Sequence, residues 1–174
     1  MTMKKDAGKL SVQILNECPH PEVSESRLKK VAEKILRDLG FRQAEVSILL
    51  VGDKKMRAMN RQFLRHAWST DVLAFGRGKI VKITRVKEPV RQGKPGNFLG
   101  DIALCIPTIE GQAEEYGHTF IEELDYCLCH GILHLLGHKD KSREDHRRMH
   151  ARQKQILGRV LPRKVSPLRS GAGR

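Results

Sequence analysis

Residues 45–51, EVSILLV, form a nearly continuous apolar run, and this run constrains the fold more than any other segment. Such a run is typical of a strand covered on both faces, because a strand with one face in water alternates apolar and polar residues. A chain of 174 residues is long enough for one domain with a core of its own. The run therefore predicts a single domain in which a buried strand is enclosed by other elements.

The rest of the chain supplies further strands and helices. Strand-like patterns cover residues 10–18, 71–75 and 97–106. Helix-like patterns cover residues 24–39, 53–63, 108–115, 118–136 and 144–157. Ser24 can cap the first helix, with Ser26 as an alternative. The order β-α-β-α-β-β-α-α-α predicts an α+β fold, a small mixed four-stranded sheet packed with about five helices.

The charge of the chain favours an anionic partner. Its 33 lysines and arginines exceed its 20 aspartates and glutamates, which gives a net charge of +13. Nucleic acid and an anionic membrane surface are both compatible with this excess. No lysine- and arginine-rich amphipathic helix with a wide apolar face supports the membrane alternative. Eight aromatic residues are a low count, which argues against an aromatic platform for stacked bases.

Two segments concentrate the basic residues. Residues 76–96 hold seven lysines and arginines, one acid, four glycines and two prolines. This composition predicts an exposed basic loop, with a small hairpin over residues 80–86. The end of the chain, from Arg159, has five basic residues and no acid. This composition predicts a disordered tail over residues 161–174 that follows a domain of residues 10–160.

The first residues and the cysteines bear on the location of the protein. The N-terminal stretch MTMKKDAGKL carries charges but no apolar core of a signal peptide. No apolar run approaches the roughly 18 residues of a transmembrane helix. We therefore expect a cytoplasmic protein whose four cysteines are reduced thiols.

Five of the eight histidines fall within residues 130–150. His130 and His134 are one helical turn apart, so they share a face and can bind one metal ion. A catalytic metal needs a third protein ligand, and Gly137 is suited to end the helix and turn the chain back. Asp140, three residues past the glycine, can then reach the ion; His138 is the alternative third ligand.

The pattern HxxxHxxGxxD resembles the extended zinc motif HExxHxxGxxH, and aspartate is an acceptable zinc ligand. Zinc proteases carry a glutamate after the first histidine as general base, and this chain has Gly131 there, which argues against a peptidase. The second pair, His146 and His150, encloses two arginines and is expected on a solvated face. Cys127 is expected to be a small core residue.

At HGILHLLG, which begins at His130, the sequence resembles the YbeY family of metal-dependent endoribonucleases, whose pattern is HGxLHLxGxDH. Two other blocks agree with this family. The sequence TDVLAF at residues 70–75 is similar to its T-D/N-V-L-S-F strand, and LGDI at residues 99–102 is similar to its L-G-D-I strand. The resemblance implies a mixed sheet packed with helices and a role in processing ribosomal RNA.

The resemblance also implies the ligands, because the three histidines of the family motif fall on His130, His134 and Asp140. The aspartate is a departure. It lowers the charge of the site by one, should make a bound water less acidic, and opens the site to harder ions such as Mn²⁺ besides Zn²⁺.

A second departure concerns an arginine that the family carries in a Y-R-G segment before the T-D/N-V-L-S-F strand. Aligned without gaps, that arginine falls on Leu64 and its glycine on Arg65. A one-residue slip would give the role to Arg65, and Arg61 is one helical turn earlier. The implied role is to hold a phosphate or to stabilise charge in the transition state.

The resemblance implies cleavage of single-stranded RNA in ribosomal RNA maturation and ribosome quality control, with the small ribosomal subunit and assembly factors as partners. RNA carries its own nucleophile, the 2′-hydroxyl. The metal would bind a phosphate oxygen as Lewis acid, and its hydroxide would act as base or attack the phosphate directly. The alternative is an RNA-binding assembly factor with a structural metal. In either case the basic loop of residues 76–96 is expected to contact the RNA backbone. The contacting residues would be Arg77, Lys79, Lys82, Arg85, Lys87, Arg91 and Lys94.

Overall fold

The computed structural model describes residues 9–76 and 97–162. The strands are β1 (Leu10–Asn16), β2 (Ala44–Val51), β3 (Val72–Gly76) and β4 (Phe98–Cys105). The helices are α1 (Glu25–Asp38), α2 (Asp53–Leu64), α3 (Ile106–Tyr116), α4 (Phe120–Leu135) and α5 (Arg143–Val160). The predicted hairpin at residues 80–86, the basic residues from Arg77 to Lys94 and nearly all of the predicted tail lie outside the described residues.

The four strands form one mixed sheet in the order β1-β2-β4-β3. β1, β2 and β4 run parallel, and β3 is antiparallel to β4. β4 is therefore inserted between two strands that precede it in the sequence. The predicted α+β fold with a mixed four-stranded sheet and five helices is confirmed.

The sheet is covered on both faces. Most of the core lies on the face against which α1, α3, α4 and α5 pack. A smaller apolar cluster lies on the other face, where Met56 and Met59 of α2 meet Leu73 and Phe75 of β3. β2 is buried along almost its whole length, so the inference from its apolar run is confirmed.

Several predicted boundaries were wrong by a few residues, and side-chain caps explain where α1, α4 and α5 begin. Ser24 caps α1, not Ser26, and accepts a hydrogen bond from the backbone N–H of Arg27. α4 begins at Phe120 rather than at residue 118, because Thr119 and Glu122 form a capping box. α5 begins one residue early behind Ser142, which forms the same type of cap with Asp145.

α4 is the central helix, and it contacts β3 and β4 as well as α1, α3 and α5. Its close approach to the sheet depends on Gly131: a Cβ there would lie 2.8 Å from Cγ2 of Ile102 and 3.1 Å from Cγ2 of Val72. Gly100 in β4 is equally constrained, since its φ is +147° and a Cβ would meet the carbonyl oxygen of Phe75 at 2.1 Å. Gly131 thus allows α4 to pack closely on the sheet, and Gly100 allows β3 to pair closely with β4.

None of the helices in the described ranges is long and apolar enough to cross a membrane. Cys105, Cys127 and Cys129 are buried and Cys18 is partly buried, all as free thiols.

Candidate metal centre

The C-terminal end of α4 carries His130 and His134 one turn apart. Both rings lie at the edge of the buried face, with 20% and 26% of their side chains exposed. Gly137 then adopts a φ of +89° and reverses the chain, as its position after the helix predicts. The reversal brings Asp140, whose side chain is 32% exposed, back toward the two rings.

Three potential ligand atoms meet at this point. Nε2 of His134 lies 2.8 Å from Nε2 of His130. Oδ2 of Asp140 lies 3.3 Å from Nε2 of His134 and 3.4 Å from Nε2 of His130. Zinc bonds of about 2.05 Å at the tetrahedral angle place neighbouring ligands about 3.3 Å apart. The two distances to the carboxylate match this spacing. The two Nε2 atoms would have to move apart by about 0.5 Å to bind zinc together.

Hydrogen bonds fix the orientation of both rings. Nδ1 of His134 lies 2.9 Å from the backbone carbonyl of His138, which can only accept, so this nitrogen donates. Nδ1 of His130 lies 3.4 Å from Oε1 of Gln153. The Gln153 amide is itself oriented by a bond from its Nε2 to the carbonyl of Tyr126, at 3.1 Å. In both rings the proton is therefore on Nδ1, and Nε2 is free to bind a metal.

This donor set fits a divalent cation. Two unprotonated nitrogens and one carboxylate oxygen converge, and three acceptors at this distance repel one another unless a positive charge lies between them. Burial, followed by the neighbouring His134, lowers the pKa of His130, which keeps its ring in the neutral form that a metal requires. Among the described residues, these three form the one group of at least three such side chains close enough to share an ion.

His138 does not join the group. Its side chain is exposed, and its contribution is the carbonyl that orients His134. Of the two third ligands that the sequence allows, the structure therefore brings Asp140 to the pair.

A chain of polar contacts lies behind the histidine pair. Sγ of Cys127, one turn before His130, lies 3.6 Å from Oδ2 of Asp71 and 3.8 Å from Oε1 of Glu123. Glu123 is fully buried, and its Oε2 lies 2.8 Å from Nδ1 of His118. Cys127 is a core residue, as predicted, but its thiol links two carboxylates. The sequence did not predict that Glu123 is buried and contacts Cys127 and His118, because nothing in the sequence distinguishes it from a solvated helix residue.

The two candidate arginines lie at the end of α2. Arg61 is in its last turn and Arg65 follows it, and both are exposed. Arg65 is the one non-glycine residue of the described ranges with a positive φ, at +59°. Position 65 is where the gapless alignment places the family's glycine, and glycine is the residue that favours this conformation. No hydrogen bond or ion pair joins either arginine to the His-His-Asp group within the described residues.

The second histidine pair behaves in two ways. His146 is exposed, as expected for a solvated face. His150 is half-buried, and its Nδ1 lies 2.9 Å from the hydroxyl of Tyr126 on α4. The prediction was wrong for this residue, because the packing of α5 on α4 covers it.

The chain is similar to known proteins in sequence and in fold. The sequence profile of the family "Endoribonuclease YbeY" matches residues 13–161 of the chain. The chain belongs to the YbeY family. A protein of Thermobifida fusca named "Endoribonuclease YbeY" is 35% identical over 149 residues, which cover 85% of this chain and 92% of that protein. A protein of the same name from Geobacillus thermodenitrificans is 41% identical over 121 residues, which cover 67% and 72%.

A solved structure shows the same fold. The solution structure of a Thermotoga maritima protein is 25% identical, with a TM-score of 0.51, and the match covers 94% of this chain and 99% of that one. Membership of the YbeY family confirms the expected enzyme class, endoribonuclease.

Proposed function

We propose that this chain is a metal-dependent endoribonuclease that cleaves single-stranded RNA in ribosomal RNA maturation and ribosome quality control. The observation that carries the proposal is the convergence of His130, His134 and Asp140 in a member of the YbeY family. The domain of residues 10–160 would act in the cytoplasm, on RNA of the small ribosomal subunit and beside its assembly factors.

The three side chains have separate tasks in this proposal. His130 and His134 would hold the cation through Nε2, since their Nδ1 atoms face Gln153 and the His138 carbonyl. Asp140 adds one negative charge. A divalent cation held there would supply Lewis-acid stabilisation of the charge that develops on a phosphate. RNA carries a nucleophile of its own, the 2′-hydroxyl, so a glutamate at position 131 is less necessary than in a peptidase.

Zinc is the proposed metal, with Mn²⁺ as the alternative. Two imidazoles and a carboxylate are a known type of catalytic zinc site. The same carboxylate is a hard oxygen ligand, which suits Mn²⁺ better than a third imidazole would.

RNA binding is proposed to depend on the basic residues between β3 and β4. Arg77, Lys79, Lys82, Arg85, Lys87, Arg91 and Lys94 would contact phosphates without reading the sequence. Replacing three of them by glutamine should weaken RNA binding and flatten its salt dependence. An unchanged slope would remove this segment from the binding surface.

The test of the proposed function is cleavage of a labelled single-stranded RNA by the full chain. We expect cleavage that a chelator abolishes, that added Zn²⁺ or Mn²⁺ restores, and that His134→Ala eliminates. His146→Ala is the matched control, since this exposed histidine lies outside the metal group and should leave the rate unchanged.

A second candidate function is an assembly factor with a structural metal. One observation favours it: Leu64, at the position of the family arginine, is an apolar side chain that is 51% exposed. On this alternative, His134→Ala would bind RNA and lose metal, but parent and variant alike would leave the RNA intact.

A further inference from the structure

The connection from α2 to β3 presents an unusual apolar surface. Trp68 is the single tryptophan of the chain, and it is 61% exposed. Leu64, four residues earlier, is 51% exposed. These are two of the three large apolar residues that the described ranges leave exposed, the third being Leu15 on β1. Leaving a large apolar side chain in water forgoes about 1.5–3 kcal/mol of burial, and two such residues in one short connection make it a candidate contact surface.

The backbone that carries Trp68 is anchored. Asn60 of α2 is buried, and its Nδ2 donates to the carbonyl oxygen of Trp68 at 2.7 Å. The next residue, Ser69, places its hydroxyl 3.3 Å from that of Thr108 on α3. The main chain that carries the indole is therefore anchored, so binding a partner does not have to order this backbone.

One face of the indole already has an aromatic neighbour. The ring of His66 stacks on it, with a centroid distance of 4.3 Å and an interplanar angle of 21°. With 61% of Trp68 exposed, the opposite face remains open to a second flat ring. A stacked pair with an open face is the arrangement on which unpaired nucleobases bind in RNA-binding proteins.

The surrounding charge identifies the kind of partner. Residues 54–70 contain five lysines and arginines and no acid. Lys55 and Arg57 are paired with carboxylates, whereas Arg61 and Arg65 are exposed and form no ion pair with any described residue. Two guanidinium groups without an ion pair among the described residues, in the same segment as an exposed indole, complement a ligand that is both flat and anionic. A nucleotide has both properties.

A short path of chain and contacts links this surface to the metal centre. Asp71 follows Trp68 by three residues, and its Oδ2 contacts Cys127 on α4, one turn before His130. Three residues of chain span at most about 11 Å. A base on Trp68 and a phosphate at the histidine pair can therefore belong to the same RNA strand.

We propose that Trp68, supported by His66, is a stacking platform for one unpaired base of the single-stranded RNA substrate. This inference rests on the proposed function and adds a contact to it. The low aromatic content of the chain is compatible with it, because the platform uses one indole and one imidazole rather than a row of rings.

The experiment uses Trp68 as its own reporter, since no other tryptophan contributes to the fluorescence of the full chain. The metal-free protein is titrated with a single-stranded RNA oligomer and, separately, with an abasic oligomer of the same length. We expect the RNA to quench Trp68 and the abasic strand to leave its emission unchanged. Trp68→Ala should weaken RNA binding about 5- to 150-fold, as measured by the anisotropy of labelled RNA.

Two variants serve as controls. Trp68→Phe keeps a ring and should retain most of the affinity. Leu15→Ala removes an exposed apolar side chain elsewhere and should bind RNA like the parent. The platform is overturned if RNA binds without quenching, if the abasic strand quenches equally, or if Trp68→Ala binds as tightly as the parent. Cleavage by the parent that His134→Ala abolishes would still support the proposed function in those cases, and its absence would count against that function alone.

Discussion

Oε1 of Gln153, on α5, lies 3.4 Å from Nδ1 of His130, on α4. The two residues are 23 positions apart, and Gln153 is 1% exposed. A buried amide thus holds one candidate ligand in the tautomer that leaves Nε2 available. Partners of this type raise the basicity of a ligand and fix its direction, and their loss weakens metal binding.

Gln153→Leu should lower the affinity for Zn²⁺ about 10- to 100-fold, because the ring of His130 loses its acceptor. Gln153→Glu keeps an acceptor at the same position and should retain most of the affinity. Competition with a chromophoric chelator measures both. Thermal unfolding of the metal-free variants separates this effect from misfolding. A leucine variant that folds normally and binds Zn²⁺ like the parent would show that Gln153 does not position His130.

Asp140→Ala should abolish stoichiometric metal binding, since two ligands do not hold a catalytic ion. Asp140→His supplies the family's residue and should keep one metal per chain, with less Mn²⁺ bound relative to Zn²⁺. His138→Ala is the matched control: its backbone carbonyl, which accepts from His134, survives the substitution. Elemental analysis checks all three. Metal loss in His138→Ala but not in Asp140→Ala would reverse the choice of third ligand.

Arg65→Gly should stabilise the protein by about 1 kcal/mol, because glycine adopts the left-handed conformation without a steric penalty. Arg65→Ala removes the same guanidinium without relieving the strain, so it should not share the gain. Denaturant unfolding measures the difference. Equal stability of the two variants would mean that position 65 carries no strain.

The same variants test the family arginine. If Arg65 stabilises the transition state, Arg65→Ala should lower RNA turnover by roughly 10²-fold and leave metal content unchanged. Leu64→Arg combined with Arg65→Gly should then recover most of the activity. Cleavage at the parent rate by Arg65→Ala would exclude that role and transfer the test to Arg61→Ala.

Gly131→Ala should destabilise the protein by about 1–3 kcal/mol, because the added methyl group overlaps Cγ2 of Ile102. Ile102→Ala removes that atom, so the double variant should lose less stability than the sum of the two single variants. Gly131→Glu, which would supply the peptidase carboxylate, should fail to fold. Strict additivity in the first pair would contradict the close contact.

The ion pair between Asp38 on α1 and Arg159 on α5 should make stability depend on pH in the acid range. The hydrogen bond from Arg159 lowers the pKa of Asp38 in the folded state. The ion pair therefore contributes its full stabilisation above the pKa of the unfolded chain, about 3.9. This stabilisation is lost as the pH falls through the lower pKa of the folded state. Asp38→Asn should lower the melting temperature at pH 7 and match the parent near pH 2. Glu144→Gln, in an exposed pair within α5, should have little effect at either pH.

The sequence alone could predict the features that depend on residues close to one another along the chain. The histidine pair and Asp140 lie within eleven residues, and one helical turn followed by one glycine reversal is enough to bring their side chains together. The apolar run of β2 likewise predicts its own burial, since its composition excludes an exposed face.

Contacts between distant residues were decided by the tertiary structure. The insertion of β4 between β2 and β3, the approach of Gln153 to His130, and the contact of Asp71 with Cys127 join residues that are far apart in the sequence. The pattern of one element does not specify its neighbour, because the same apolar stripe can pack against any complementary face. The open face of Trp68 likewise follows from where α2, α3 and β3 meet, since only that packing anchors its backbone and leaves its ring in water.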